Sequence, residues 1–272
     1  MTTQNTLIDV APGHVDVIGL DTVYRRRGEG DPVLFFEGQG YSGRWIPFYE
    51  ELAATFDVIV PDHPSFGETE LVDPINDFND LSVHYAAFLD ALGVGPVHAV
   101  GQGFGAWVAG EFAAIYPERV RSLTLISPTG TLPDEDEKMV DPYRLDREHW
   151  LDAALGPDRD QYNFVIDSDE DGVNRVLTDY KERIGIARVA WNPRYSLRME
   201  HRLARVTAPS QVLIPEEDKL ITPSVARRYS ELLSTAAPVT IVGASAPTQH
   251  LLVIQEPAQI AQKVVELASQ AS

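Results

Sequence analysis

Val97–Phe112 reads VHAVGQGFGAWVAGEF. An apolar run ends at Val100, glycines stand at the alternate positions 101, 103 and 105, and an apolar segment with helical spacing continues to Tyr116, before Pro117. A continuous apolar run bounded by turn residues is the pattern of a strand buried on both faces. Glycine tolerates the backbone conformations and close approaches that a sharp turn demands. The stretch predicts strand, tight turn and helix. Such a turn can cradle a phosphate at the helix N-terminus or hold one side chain at its crest. The phosphate reading fails on three counts. The Lys-Ser/Thr of a P-loop is missing, the third glycine of a dinucleotide fingerprint is out of register, and 22 Lys+Arg against 41 Asp+Glu leave a net charge of −19.

The same charge disfavours nucleic acid and anionic membranes and is read as an acidic, solvated surface. With no cysteine, disulfides and thiolate metal sites are excluded. MTTQNTLIDVAPG lacks the basic start and apolar core of a signal peptide, and no segment reaches the length of a membrane span. A soluble, cytoplasmic protein is expected. The 272 residues suit one large α/β domain with an inserted subdomain.

Outward from the opening stretch, strand and helix patterns alternate. Val15–Ile18 and Thr22–Arg26 predict a hairpin around Gly19-Leu20-Asp21. Val33–Phe36, Val58–Val60 and Leu123–Ile126 predict buried strands, and 45–54, 81–92 and 106–116 predict helices. That alternation implies a mostly parallel, doubly wound sheet opened by an antiparallel hairpin. The pattern breaks after Pro128. Residues 131–202 are rich in Asp, Glu and Arg with weak helical spacing, and predict a helical lid inserted into a core of residues 1–130 and 203–272. Strands resume at Gln211–Ile214 and Val239–Val242, with helices at 224–233 and from Pro257 to about Ala268.

Function in such sheets gathers where strands end at their C-termini. The segments found there are FFEGQG, PDHPSFGETE, GQGFG, LISP, VLIPEEDKLITP and, before the last helix, HLLVIQEPAQIAQ. In this order they resemble the α/β-hydrolase superfamily over nearly the whole chain. GQGFG matches the frame G-x-S-x-G, in which serine is the nucleophile, and the chain order elbow, acid, histidine is the family's. The resemblance places Gly103 at the nucleophile position, Asp218 at the acid and His250 at the base. It assigns the oxyanion-hole amides to Gln39 and Phe104. Gln102, Trp107 and Tyr41 are candidate substrate-binding residues. Among hydroxyls near the same end, Ser42, Ser127 and Tyr41 do not sit in an elbow frame.

Glycine cannot attack a carbonyl or form an acyl-enzyme. The main-chain donors survive its presence, and so does a His250 base oriented by Asp218. Other departures accompany it. Glu37 replaces a common histidine, Pro215 a common glycine, and Ser245-Ala246 fall in a stretch that is often glycine-rich. Several departures together favour natural divergence over a single laboratory exchange of Ser for Gly. Glu37 is either a loop carboxylate satisfied by backbone N–H groups or a pocket acid or base. Asp167–Gly172 imitates the start of a calcium loop, but its twelfth position is Thr178 rather than Glu, so an acidic helix-capping turn is expected and no metal.

Three functions stay open. The first is a cofactor-free enzyme using His250 and Asp218 on a small carbonyl-containing substrate, with lyase, cyclase, isomerase or oxygenase chemistry. The second is an esterase, lactonase or carbon–carbon bond hydrolase inactivated by Ser-to-Gly replacement. The third is a non-catalytic ligand-binding or receptor-like protein.

Overall fold

A computed structural model describes all residues except 1–6, 142–143, 167–171, 192–194, 236, 245–246 and 272. Gly13–Val17 (β1) and Leu20–Arg27 (β2) form the expected hairpin, with Val17 opposite Leu20. Pro32–Phe36 (β3), the helix Pro47–Ala53 (α1) and Asp57–Pro61 (β4) follow. β2 runs antiparallel to β4, and from β4 onward every pairing in the sheet is parallel. Phe78–Ala91 (α2) starts earlier than its apolar spacing predicts. The Asp77 side chain accepts from the Asn79 and Asp80 N–H groups and so caps two otherwise unpaired donors.

Val97–Gln102 (β5), Phe104–Ile115 (α3) and Val120–Ile126 (β6) realise the opening stretch. β5 is buried at every residue and lies between β3 and β6. Its apolar continuity therefore reflects two covered faces. Ser210–Pro215 (β7) pairs with β6, and Val239–Val242 (β8) completes the eight-stranded order β1-β2-β4-β3-β5-β6-β7-β8.

Between the neighbouring strands β6 and β7 the chain makes a helical insertion. It comprises Arg147–Leu155 (α4), Asn163–Ile166 (α5), Gly172–Val189 (α6) and Leu197–Arg202 (α7). Trp150, Leu151, Ala154, Val165, Ile186 and Met199 join the main core, so the insertion shares the core instead of building a second one. The buried Glu111 carboxylate of α3 binds the Arg202 guanidinium at 2.7 Å, an ion pair across the junction. The calcium-like segment lies almost wholly outside the described residues, as do Ser245 and Ala246. Pro223–Leu232 (α8), Leu252–Gln255 (α9) and Pro257–Ala268 (α10) close the fold. No helix among the described residues is long and apolar enough to cross a membrane.

Candidate active site

The turn between β5 and α3 is as sharp as its glycines imply. Gly103 sits at φ 58 and ψ −116, a conformation costly for a residue with a side chain. Its N–H donates to the Ile126 carbonyl at 2.9 Å, which locks the crest of the turn against β6. Gly105 has a different reason to be glycine: a Cβ there would lie 2.0 Å from the Phe36 carbonyl oxygen. The helix can reach β3 this closely only without that atom.

His250 comes from the loop between β8 and α9, and Asp218 from the turn after β7. They meet with His250 Nδ1 2.9 Å from Asp218 Oδ2, both side chains nearly buried. The other Asp218 oxygen accepts from the Leu220 and Ile221 N–H groups, each at 2.9 Å. The carboxylate is thereby fixed before it orients the imidazole. Nε2 then points at the elbow: a Cβ built on Gly103 would lie 3.0 Å from it. This is tighter than real Cβ contacts normally are, so the ring stands partly in the space a side chain would use.

A small cavity of about 50 Å³, open to solvent on one side, lies over this point. Gln39, Gln102, Gly103, Phe104 and His250 line it. Phe104 is the first residue of α3, so its N–H has no acceptor within the helix. The Gln102 amide donates to the His250 carbonyl at 2.8 Å, which ties the elbow to the histidine loop.

The α/β-hydrolase-fold family model matches residues 31–152. The chain is 26% identical over 223 residues to a 2-hydroxy-6-oxononadienedioate/2-hydroxy-6-oxononatrienedioate hydrolase of Burkholderia vietnamiensis, covering 75% of this chain and 77% of that one. A putative carbamate hydrolase of Azorhizobium caulinodans is 36% identical over 108 residues, or 39% of this chain, and the match spans only 41% of that relative's length. A crystallised variant of the meta-cleavage product hydrolase from Pseudomonas fluorescens, complexed with acetates, superposes with a TM-score of 0.72 at 22% identity, over 97% of this chain and 99% of that one. The family model and these relatives support the α/β-hydrolase superfamily, and the chain has the α/β-hydrolase fold.

In this fold, three sequence candidates stand away from the cavity lining. Glu37 is fully buried behind the loop and accepts from the Tyr49 hydroxyl at 3.2 Å, while its second oxygen has no partner. Burial, then the nearby Asp62 and Glu182 carboxylates, push its pKa well above the usual range. It is therefore neither a carboxylate satisfied by backbone donors nor a group lining the cavity. Tyr41 is also buried, its hydroxyl accepting from the Gly38 N–H at 2.9 Å, so it braces the loop from inside. Trp107, on the first turn of α3, is stacked on Phe78 at 4.5 Å between ring centroids and does not line the cavity. Ser42 and Ser127 do not line the cavity either.

Lining residues outside the sequence candidates are Thr129, Trp150, Ile186, Leu220, Ile221 and Leu251. Thr129 N–H reaches the Gly103 carbonyl at 3.4 Å. Leu220 and Ile221 follow Asp218 directly, and adjacency to the acid was a usable signal. Trp150 and Ile186 carried no such signal, because an apolar residue on an insertion helix reads the same whether it faces core or cavity.

Proposed function

We propose that this chain is an enzyme in which His250, oriented by Asp218, exchanges protons directly with a small carbonyl-containing substrate and forms no acyl-enzyme. The carrying observation is the 3.0 Å between Nε2 and the Cβ position of residue 103. Where a nucleophile would stand, the imidazole edge reaches in beside a small cavity that opens to solvent. In the proposed step, Nε2 takes a proton from the carbon next to the carbonyl, and the electron pair moves onto the carbonyl oxygen. The Gln39 and Phe104 N–H groups donate to that enolate oxygen. Asp218 accepts the Nδ1–H and stabilises the imidazolium. Return of the proton to another atom gives isomerisation, and loss of a group from the neighbouring carbon gives elimination. This sequence calls for no cofactor. Residues 131–202 act as the lid that shapes the cavity over a core formed by 1–130 and 203–272.

The test is deuterium incorporation from D₂O into a panel of small ketones, β-keto acids and lactones, followed by NMR. Wild type exchanges a subset of them, and His250→Ala lowers the rate by about 10²–10⁴-fold. Equal rates in the two proteins would refute the base assignment.

A second reading is favoured by the relatives, two of which are described as hydrolases. Here the chain is a hydrolase whose nucleophile has been replaced. Gly103→Ser would then produce a burst of product from p-nitrophenyl esters. Under the first reading it produces none, because the new Cβ crowds Nε2 and displaces substrate.

A further inference from the structure

The loop that carries Gln39 is held by the insertion. Glu182, on the inward face of α6, accepts the Gly40 N–H through Oε2 at 2.8 Å and the Ser42 hydroxyl through Oε1. Ser42 Oγ also accepts from the Gly67 N–H at 3.1 Å, bringing in the loop after β4. Trp150 of α4 closes over the same backbone: a Cβ on Gly40 would lie 3.0 Å from its ring. One turn along α6 from Glu182, Ile186 lines the cavity. A single helix face therefore touches both the cavity and the loop beside it. Glu182 is 1% exposed. Burying a carboxylate is costly, and an apolar contact would pack a helix on a loop at lower cost. What the carboxylate adds is two directional bonds, one to Gly40 next to Gln39 and one to Ser42 further along the same loop.

We propose that Glu182 is a positioning residue that couples docking of the helical insertion to the orientation of the Gln39 N–H. The oxyanion donor is in place only while α6 is seated. This rests on the reading of Gln39 as an oxyanion donor.

The clamp also depends on protonation. Burial, reinforced by Asp179 one turn back on α6, pushes Glu182 up to about 7, against the Ser42 and Gly40 hydrogen bonds and the Arg44 charge. Glu37 and the Tyr41 hydroxyl lie within its field from the loop side. Ionised, the carboxylate accepts from both loop donors. Once protonated it keeps the Gly40 N–H on one oxygen and donates its proton to Ser42 Oγ, whose hydroxyl reverses, and no buried charge remains. Because burial raises this pKa, the docked helix favours the protonated carboxyl, and loop contact strengthens as pH falls through about 7.

Hydrogen-exchange mass spectrometry on the full chain, read over residues 37–43 and corrected for intrinsic pH dependence, tests this. Wild-type protection of the segment rises as pH is lowered through about 7. Glu182→Ala raises its exchange by about tenfold or more at the lower end of the range. Glu182→Gln keeps an acceptor for Gly40 and most of the protection, but loses the pH step. Unchanged exchange in Glu182→Ala, or a pH step that persists in Glu182→Gln, overturns the proposal. His250→Ala, which suppresses proton exchange with substrate under the proposed function, leaves protection over 37–43 intact. Failure of the clamp and failure of the acid–base reading are thus recorded separately. In turnover, Glu182→Ala lowers kcat more than it raises KM, and Glu182→Gln restores most of the rate.

Discussion

At the scale of single residues, the site is defined by what each atom can reach. Asp218 holds one imidazole nitrogen and is itself held by two backbone N–H groups, so the other nitrogen is left for chemistry. Asp218→Asn keeps the shape but can present its N–H to Nδ1, favouring the wrong tautomer. It is expected to lower turnover by about 10²–10⁴-fold with little change in the thermal midpoint. Gly103→Ala puts a Cβ at positive φ and against Nε2, and should cost about 1–3 kcal/mol in urea unfolding. The tight turn at Gly103 and the loops that bring Asp218 and His250 together were legible in the chain, because each sits in a short local frame after a strand. Glu37 misled for the same reason. Its frame was right, yet the side chain turns inward to Tyr49, and no local pattern encodes that direction.

At the scale of elements, α3 and the strands beside it set the geometry. The helix reaches β3 through Gly105, whose absent Cβ leaves the Phe36 carbonyl unobstructed. Gly105→Ala must push the helix off the strand. The expected loss is about 3 kcal/mol or more, read from the urea midpoint, with the elbow displaced as well. The N-terminus of α2 is a milder case. Asp77→Ala removes two capping bonds and should cost about 1 kcal/mol without altering the site. Strand positions followed from continuous apolar runs, and their ends from glycine and proline. The start of α2 was placed too late, since its first turn is specified by a cap and not by apolar spacing.

At the scale of the whole molecule, buried charge decides how stability follows pH. Burial raises Glu37 well above its usual value, and lifts Glu111 and Glu182 to about 7. A carboxyl whose folded pKa exceeds the unfolded one contributes stability that is fully present below the unfolded value and lost as pH rises through the folded one. The urea midpoint should therefore rise from about pH 8 to about pH 6.5, helped by reduced self-repulsion in a chain of net charge −19. Below that, His63 and His84 oppose the trend. Burial lowers both to about 4, so they charge in the unfolded chain first. Unfolding midpoints measured across the range check the turnover. The insertion is bound into the same ledger by Glu111 and Arg202. Arg202→Met would strand the Glu111 carboxylate and cost about 3–5 kcal/mol near neutral pH, and less in acid, where that group takes up a proton.

By itself the sequence determined the sheet, the elbow with no side chain at its crest, and the order of acid and histidine, because periodicity and turn chemistry act within a few residues. Tertiary structure alone decided that His250 leans into the vacated space and that Glu37, Tyr41 and Trp107 stand outside the cavity lining. It also decided that a glutamate of the insertion grips a loop 140 residues earlier in the chain. Such contacts depend on how finished elements pack, and a carboxylate on a helix looks the same in sequence whether it meets water or two converging donors.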